Sequence, residues 1–178
     1  EALQAAQSAL AVRPDEPLVN ANVGRALLGL NRPEEAVPYL RSALQRQPGM
    51  HPLRDMLART LLETGRPDDG AAVFREVEAQ ATGDFQLLAM MARFYHRAKR
   101  GGDAERCLLR MRQLDPSHAP TYSELAQLYI DYAQYSKASE VSRDGLRLDP
   151  NSTVFWNTLA NCQSSIGLVD EALVSYRK

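Results

Sequence analysis

Laid over itself at an interval of 34 residues, this chain of 178 residues repeats its own pattern with no insertion or deletion. Pro14, Pro48, Pro116 and Pro150 fall in one column, with Thr82 in the remaining slot. The stretch LDPSHAPTY at Leu114–Tyr122 returns as LDPNSTVFW at Leu148–Trp156. A second column holds Gly24, Ala58, Ala92, Ala126 and Ala160, and a third holds Ala2, Ala36, Gly70, Ala104, Ala138 and Ala172. All eleven are Ala or Gly, although those types supply only 34 of the 178 residues, so the columns are not accidental. A constant interval of this size marks a repeat array, in which each segment buries its apolar face only against its neighbours.

The period inside each segment is that of a helix. Apolar residues step by three and four, as in Leu125, Leu128, Tyr129 and Tyr132, which strand alternation does not produce. Breakers divide each segment in two. Arg32-Pro33-Glu34-Glu35 and Arg66-Pro67-Asp68-Asp69 place proline and then acids in the first turn of a second helix, where the helix dipole favours negative charge. Gly65, Gly101-Gly102 and Gly167 are expected to mark the same turn elsewhere. Each segment therefore reads as helix, tight turn, helix. Packed pairs approach within about 8–10 Å, and the small columns belong at the closest crossings.

This explains the duplicated Leu-Asp-Pro. The leucine is expected to close the inner face of a second helix, and Asp-Pro to end it, because proline cannot continue the hydrogen-bond ladder. Tyr122 and Trp156 then open the next first helix and fill the groove beside the preceding pair. Pro38 falls inside a predicted helix, where a local kink or a late helix start is expected.

Bulk properties exclude several functions. Basic and acidic residues number 21 and 22, so no global charge points to nucleic acid or an anionic membrane. No apolar run approaches the roughly 18 residues of a membrane span. The 18 Arg against 3 Lys, with abundant Ala, follow the bias of a GC-rich bacterial gene. Cys107 and Cys162 lack metal-ligand spacing and read as small buried apolar residues. Asn151-Ser152-Thr153 matches a glycosylation acceptor but sits where a helix must start, so it reads as a capping turn.

With Trp156, Leu159, Ala160, Gly167, Ala172 and Tyr176 in its last segment, the chain resembles a run of tetratricopeptide repeats over essentially its whole length. The resemblance implies an all-α fold, an α-solenoid of antiparallel helix pairs stacked in a right-handed superhelix. Its bounds would be 1–16 for the trailing helix of a broken repeat, full repeats at 17–50, 51–84, 85–118 and 119–152, and an incomplete repeat at 153–178. Thr82 for proline, Gly70 for alanine, and Asn20 and Arg54 where an aromatic is commoner imply a looser second repeat. The chain opens at Glu1 without methionine and lacks the family's polar capping helix, so further chain is expected beyond both ends. No compartment is decided, with cytoplasm slightly favoured over periplasm.

Catalytic chemistry is not in evidence. Three scattered histidines, with no HExxH, GxSxG, CxxC or phosphate loop, argue against an enzyme, a metal site or a cofactor. The resemblance implies instead a concave groove lined by first helices. Its wall would carry Arg25, Arg59 and Arg93, followed by Gln127 and Asn161, with Asn22, Met56 and Met90 flanking. Three arginines at about 10 Å spacing would make a stripe about 20 Å long, suited to an acidic or carboxylate-bearing extended segment. Arg59 has Asp55 and Glu63 one turn away on its own helix, so it is partly neutralised there. Arg25 and Arg93 have no such partner. His96 lies on a first helix, and Arg97 shares a column with Glu63 and Asp131. The segment 85–118 nets +4 and the one before it −3, which reads as charge alternation between stacked segments and not as a nucleic-acid surface. The expected function is a non-catalytic protein–protein scaffold. The alternatives are a recruitment arm of a larger enzyme, such as a glycosyl- or sulfo-transferase, and a bacterial envelope scaffold for polysaccharide or pilus export.

Overall fold

The computed structural model describes residues 2–178, apart from the side chains of Ala2 and Thr82. Among the described residues it is all helix, with no strand. The chain divides into two compact units, 1–81 and 82–178. The first holds α1 (Ala2–Val12), α2 (Pro17–Gly29), α3 (Pro33–Arg46), α4 (His51–Glu63) and α5 (Pro67–Arg75). A 3-10 turn at Ala81–Gly83 leads into the second. That unit holds α6 (Phe85–Arg97), α7 (Gly101–Leu114), α8 (Ala119–Asp131), α9 (Tyr135–Leu148), α10 (Thr153–Ser165) and α11 (Val169–Tyr176). Within each unit every helix packs on its neighbours in the chain, and α8 also touches α10.

First helices begin at Pro17, His51, Phe85, Ala119 and Thr153, and each runs 13 residues. Second helices are less uniform. Those of α3, α7 and α9 run 14 residues, whereas α5 stops after 9 and α11 after 8.

The small columns form the core of this packing. Ala58, Ala92, Ala126 and Ala160 on the first helices, and Ala36, Ala104, Ala138 and Ala172 on the second, are all buried, as are Gly24 and Gly70. Ala2 lies outside the described side chains. Where glycine stands, the reason is contact. A Cβ on Gly24 would fall 2.5 Å from Leu40 Cδ2, inside its van der Waals surface.

The turn inside each pair is made by one residue in the left-handed region. Asn31, Gly65, Lys99, Ala133 and Gly167 all have positive φ, between 55° and 85°, and recur every 34 residues. The amide after each donates back across the helix end: Arg32 to Leu27, Arg66 to Leu61, Arg100 to Tyr95, Gln134 to Tyr129 and Leu168 to Gln163, at 2.8–3.0 Å. This is the Schellman closure, which satisfies carbonyls that the helix end leaves open. Gly65 and Gly167 sit where the spacing predicts a turn glycine, but Gly101 and Gly102 do not. They begin α7, and Lys99 takes the left-handed position. Gly101 is small for another reason, since a Cβ there would meet the Tyr132 ring at 2.6 Å.

Other local expectations are also adjusted. Helix α3 starts at Pro33, so no late start occurs, and Pro38 sits on its exposed side. Helices α7 and α9 end at Leu114 and Leu148, followed by Asp115 and Asp149 in extended conformation, as a residue before proline prefers. The two leucines, however, do not close a core. They are 38% and 41% exposed, because they occupy the last helical position, beyond the packed turn that holds Met111 and Gly145. Ser152 is the N-cap of α10 but makes no side-chain cap bond; Asp149 instead accepts from the Asn151 amide at 3.1 Å. Both cysteines are buried and neither is in a disulfide, and burial pushes the Cys162 thiol above its ordinary value.

Candidate functional site

The proline column serves as a latch. Tyr122 Oη donates to the Pro116 carbonyl and Trp156 Nε1 to the Pro150 carbonyl, both at 2.8 Å. Asn20 Nδ2 does the same to Pro14 at 2.8 Å, and Arg54 Nη2 to Pro48 at 2.9 Å. Each donor lies six residues after its proline and ties the first turns of a first helix to the chain entering it. The aromatic pattern therefore conceals a shared polar role. Asn20 and Arg54, departures in shape, are equivalents in bonding. In the fifth place the proline is Thr82 and the residue six later is Leu88, which has no donor. That place adjoins the division between the compact units.

A second recurring device binds the start of each second helix. Arg32 forms two 2.6 Å bonds with Glu35, and Arg66 and Arg100 reach Asp69 and Asp103 at 2.6–2.7 Å. The acids at these helix starts thus answer an arginine three residues earlier as well as the helix dipole.

The exposed side chains of the first helices form the candidate partner surface, described unit by unit. In the first unit Asn22 and Arg25, both exposed, line a hollow of about 540 Å³ with Ala5, Ala6 and Ala9 of α1 and Val19 of α2. On α4, Met56 is half-buried, and Arg59 lies 3.5 Å from Asp55 on its own helix. In the second unit Arg93, His96 and Gln127 come together with Ala92, Leu108 and Glu124 around a hollow of about 160 Å³. His96 Nε2 lies 2.7 Å from Asp131 Oδ2, and Gln127 Nε2 donates to Asp131 Oδ1 at 2.7 Å. Burial works to raise the Asp131 carboxyl, but these two donors, together with the charge of Lys99, outweigh it and hold the group below its ordinary value. Met90 is half-buried on α6, and Arg97 is exposed. Asn161 is engaged from α11, its Oδ1 accepting from Tyr176 Oη at 2.5 Å.

Arg25 and Arg93 share a register position, and neither makes an ion pair or side-chain hydrogen bond among the described residues. Sequence reasoning missed Glu124, which continues the column of Asn22, Met56 and Met90 and puts an acid beside Arg93. It also missed Asp131 as the anchor for His96 and Gln127. Among the described residues no group of three or more His, Cys, Asp or Glu side chains could hold a metal ion. No described helix is long and apolar enough to cross a membrane.

Two Tetratricopeptide repeat profiles match the sequence, one at residues 27–94 and 61–125 and the other at 1–51. The chain belongs to the tetratricopeptide repeat family. Solved structures agree on the fold. A MamA crystal structure superimposes with a TM-score of 0.69 at 17% identity, covering 90% of this chain and 88% of that one. MamA 41-end from Desulfovibrio magneticus RS-1 gives 0.69 at 19% identity, covering 92% of each. A tetratricopeptide repeat protein from Parabacteroides merdae ATCC 43184 gives 0.72 at 15%, covering 90% of this chain and 64% of that one. No curated protein matches the sequence. The tetratricopeptide fold is in general a non-catalytic interaction scaffold, and membership of the family supports a protein–protein interaction scaffold here.

Proposed function

We propose that the chain holds an acidic, extended partner segment against the exposed side chains of its first helices and performs no catalysis itself. One observation carries this reading. Arg25 and Arg93 stand at the same register position, each lining a hollow of its own unit, and neither makes an ion pair or side-chain hydrogen bond among the described residues. An exposed guanidinium without an internal partner offers planar, bidentate recognition to a carboxylate at little cost in lost internal bonds. Arg59 contributes less, because Asp55 already draws on it. Glu124 and Asp131 make the surface around Arg93 more selective, since an incoming acid must align with the arginine and avoid them. Rigid, prestacked helices limit the entropy lost on binding.

The test is the double variant Arg25→Glu with Arg93→Glu, probed with a fluorescent peptide carrying regularly spaced acids. Binding is expected to weaken about tenfold or more, and wild-type binding to fall with added salt. Helicity and Tm should hardly change, since both positions are exposed. Equal affinity in the variant and the wild type would remove the arginines from the site.

A further inference from the structure

Two hollows occupy the same address in the repeat. One is bordered by Arg41, Leu44, Arg54 and Leu57, and the other by Arg143, Leu146, Trp156 and Leu159, three periods of 34 residues later. Each opens beside a short second helix, α5 in the first case and α11 in the second. Their shared origin is thus geometric. Their chemistry differs. In the later hollow, Arg143 faces Glu171 at 3.8 Å and Arg147 bonds Asp144 at 2.5 Å, so both rim cations are matched.

In the earlier hollow the charges do not balance. Arg54 is only 2% exposed, and a guanidinium is a cation. Its Nη1 donates to the Val73 carbonyl and, at 3.1 Å, to Glu76 Oε2, while Nη2 holds the Pro48 carbonyl. Its Nε is enclosed and has no partner. Glu76 is the one acid among the described residues that border the hollow, and its side chain is 67% exposed. Arg41 adds a second guanidinium on the rim and makes no ion pair among the described residues. Two cations face one screened carboxylate across a cavity of about 120 Å³. A buried charge whose bonding is incomplete is costly, and a second anion would relieve it. At about 30 Å³ per water the space equals a few water molecules, enough for one carboxylate group. A monoanion cancels the single excess charge, and a planar carboxylate matches the guanidinium fork of Arg41, which is exposed on the rim.

We propose that this hollow between α3, α4 and α5 is a binding site for one carboxylate group, gripped by the exposed guanidinium of Arg41 and attracted by the buried charge of Arg54. The site does not rest on the partner surface described above. Arg54 precedes Arg59 by five residues, about 140° around α4, so the two arginines serve different faces.

The experiment follows the thermal unfolding of the whole chain, and the Arg54 Nε–Hε NMR signal, during titration with acetate at constant ionic strength held by sodium chloride. A second arm uses a short capped peptide carrying a single Glu, which separates a free carboxylate from one presented on a chain. Saturable movement of the Arg54 signal and a saturable rise in Tm are expected, with either ligand. Arg41→Gln, on the exposed rim, should weaken binding about fivefold, and Glu76→Gln, which removes the competing carboxylate, should tighten it. Arg25→Glu with Arg93→Glu should leave the titration unchanged, so failure here and failure of the acidic-segment reading are told apart. The site is refuted by an Arg54 signal that ignores both ligands, or by an Arg41→Gln titration identical to wild type.

Discussion

At the scale of single residues, stability depends on small polar devices repeated at fixed register. The proline latch is the clearest. Tyr122 is buried, and its hydroxyl meets the Pro116 carbonyl at 2.8 Å. Tyr122→Phe keeps the ring and deletes that bond, so a loss of about 0.5–1.5 kcal/mol is expected in a urea melt. The same substitution on an exposed tyrosine without such a bond should cost almost nothing. Asp131 supplies a pH-dependent counterpart. Its folded pKa lies below the ordinary value of about 3.9, so the ionised form stabilises the fold above that pH and loses this contribution as pH falls through the folded pKa. Asp131→Asn should therefore be less stable than wild type at neutral pH. The gap between the two urea midpoints should narrow on acidification below about pH 4. A gap independent of pH would mean that the bonds from His96 and Gln127 add nothing to the fold.

Helix by helix, the architecture was legible because it depends on volume and period, which a sequence states directly. Alanine at Ala58 or Ala104 announces a close crossing whatever surrounds it. Turn chemistry was legible only in part. Gly65 and Gly167 announce a left-handed residue, but Lys99 and Ala133 occupy the same position, because the Schellman bonds on either side hold any residue there. Bonding through a common atom was hidden, since Asn, Arg, Tyr and Trp look unrelated until their donors converge on proline carbonyls. The candidate site was less legible still: which charge faces which depends on rotamers, as the convergence of His96 and Gln127 on Asp131 shows. Compensation in size can be tested at one crossing. Gly145 on α9 lies under the ring of Phe155, where an added Cβ would fall 2.5 Å from Cζ. The preceding repeat puts Met111 at the register of Gly145 and Thr121 at that of Phe155, so bulk sits on the opposite side. Gly145→Ala should cost about 1–3 kcal/mol through overpacking, despite alanine's better helix propensity. Adding Phe155→Leu should return part of the loss, giving a favourable coupling in the double-mutant cycle.

For the molecule as a whole, the decisive fact is that contacts run between neighbours. Within the second unit α6 packs on α7, α7 on α8, α8 on α9 and α10, and α10 on α11. Such an array has no common centre, and its stability approximates a sum of helix-pair terms and the interfaces joining them. A local defect should then be felt locally. In native-state hydrogen exchange of Gly145→Ala, amides of α9 and α10 should lose protection by an amount close to the global penalty of that substitution. Amides of α6, separated from the defect by α7 and α8, should stay within about 0.5 kcal/mol of wild type. A uniform drop across the unit would mean that it opens as one block and that the nearest-neighbour description is wrong. The same measurement should find the weakest protection at 76–83, where α5 has ended and only single-turn bonds such as Gln80 to Val77 remain. That segment leads into the position where Thr82 and Leu88 replace the proline and its donor. Low protection there is the expected consequence of a repeat that lost both its long second helix and its latch.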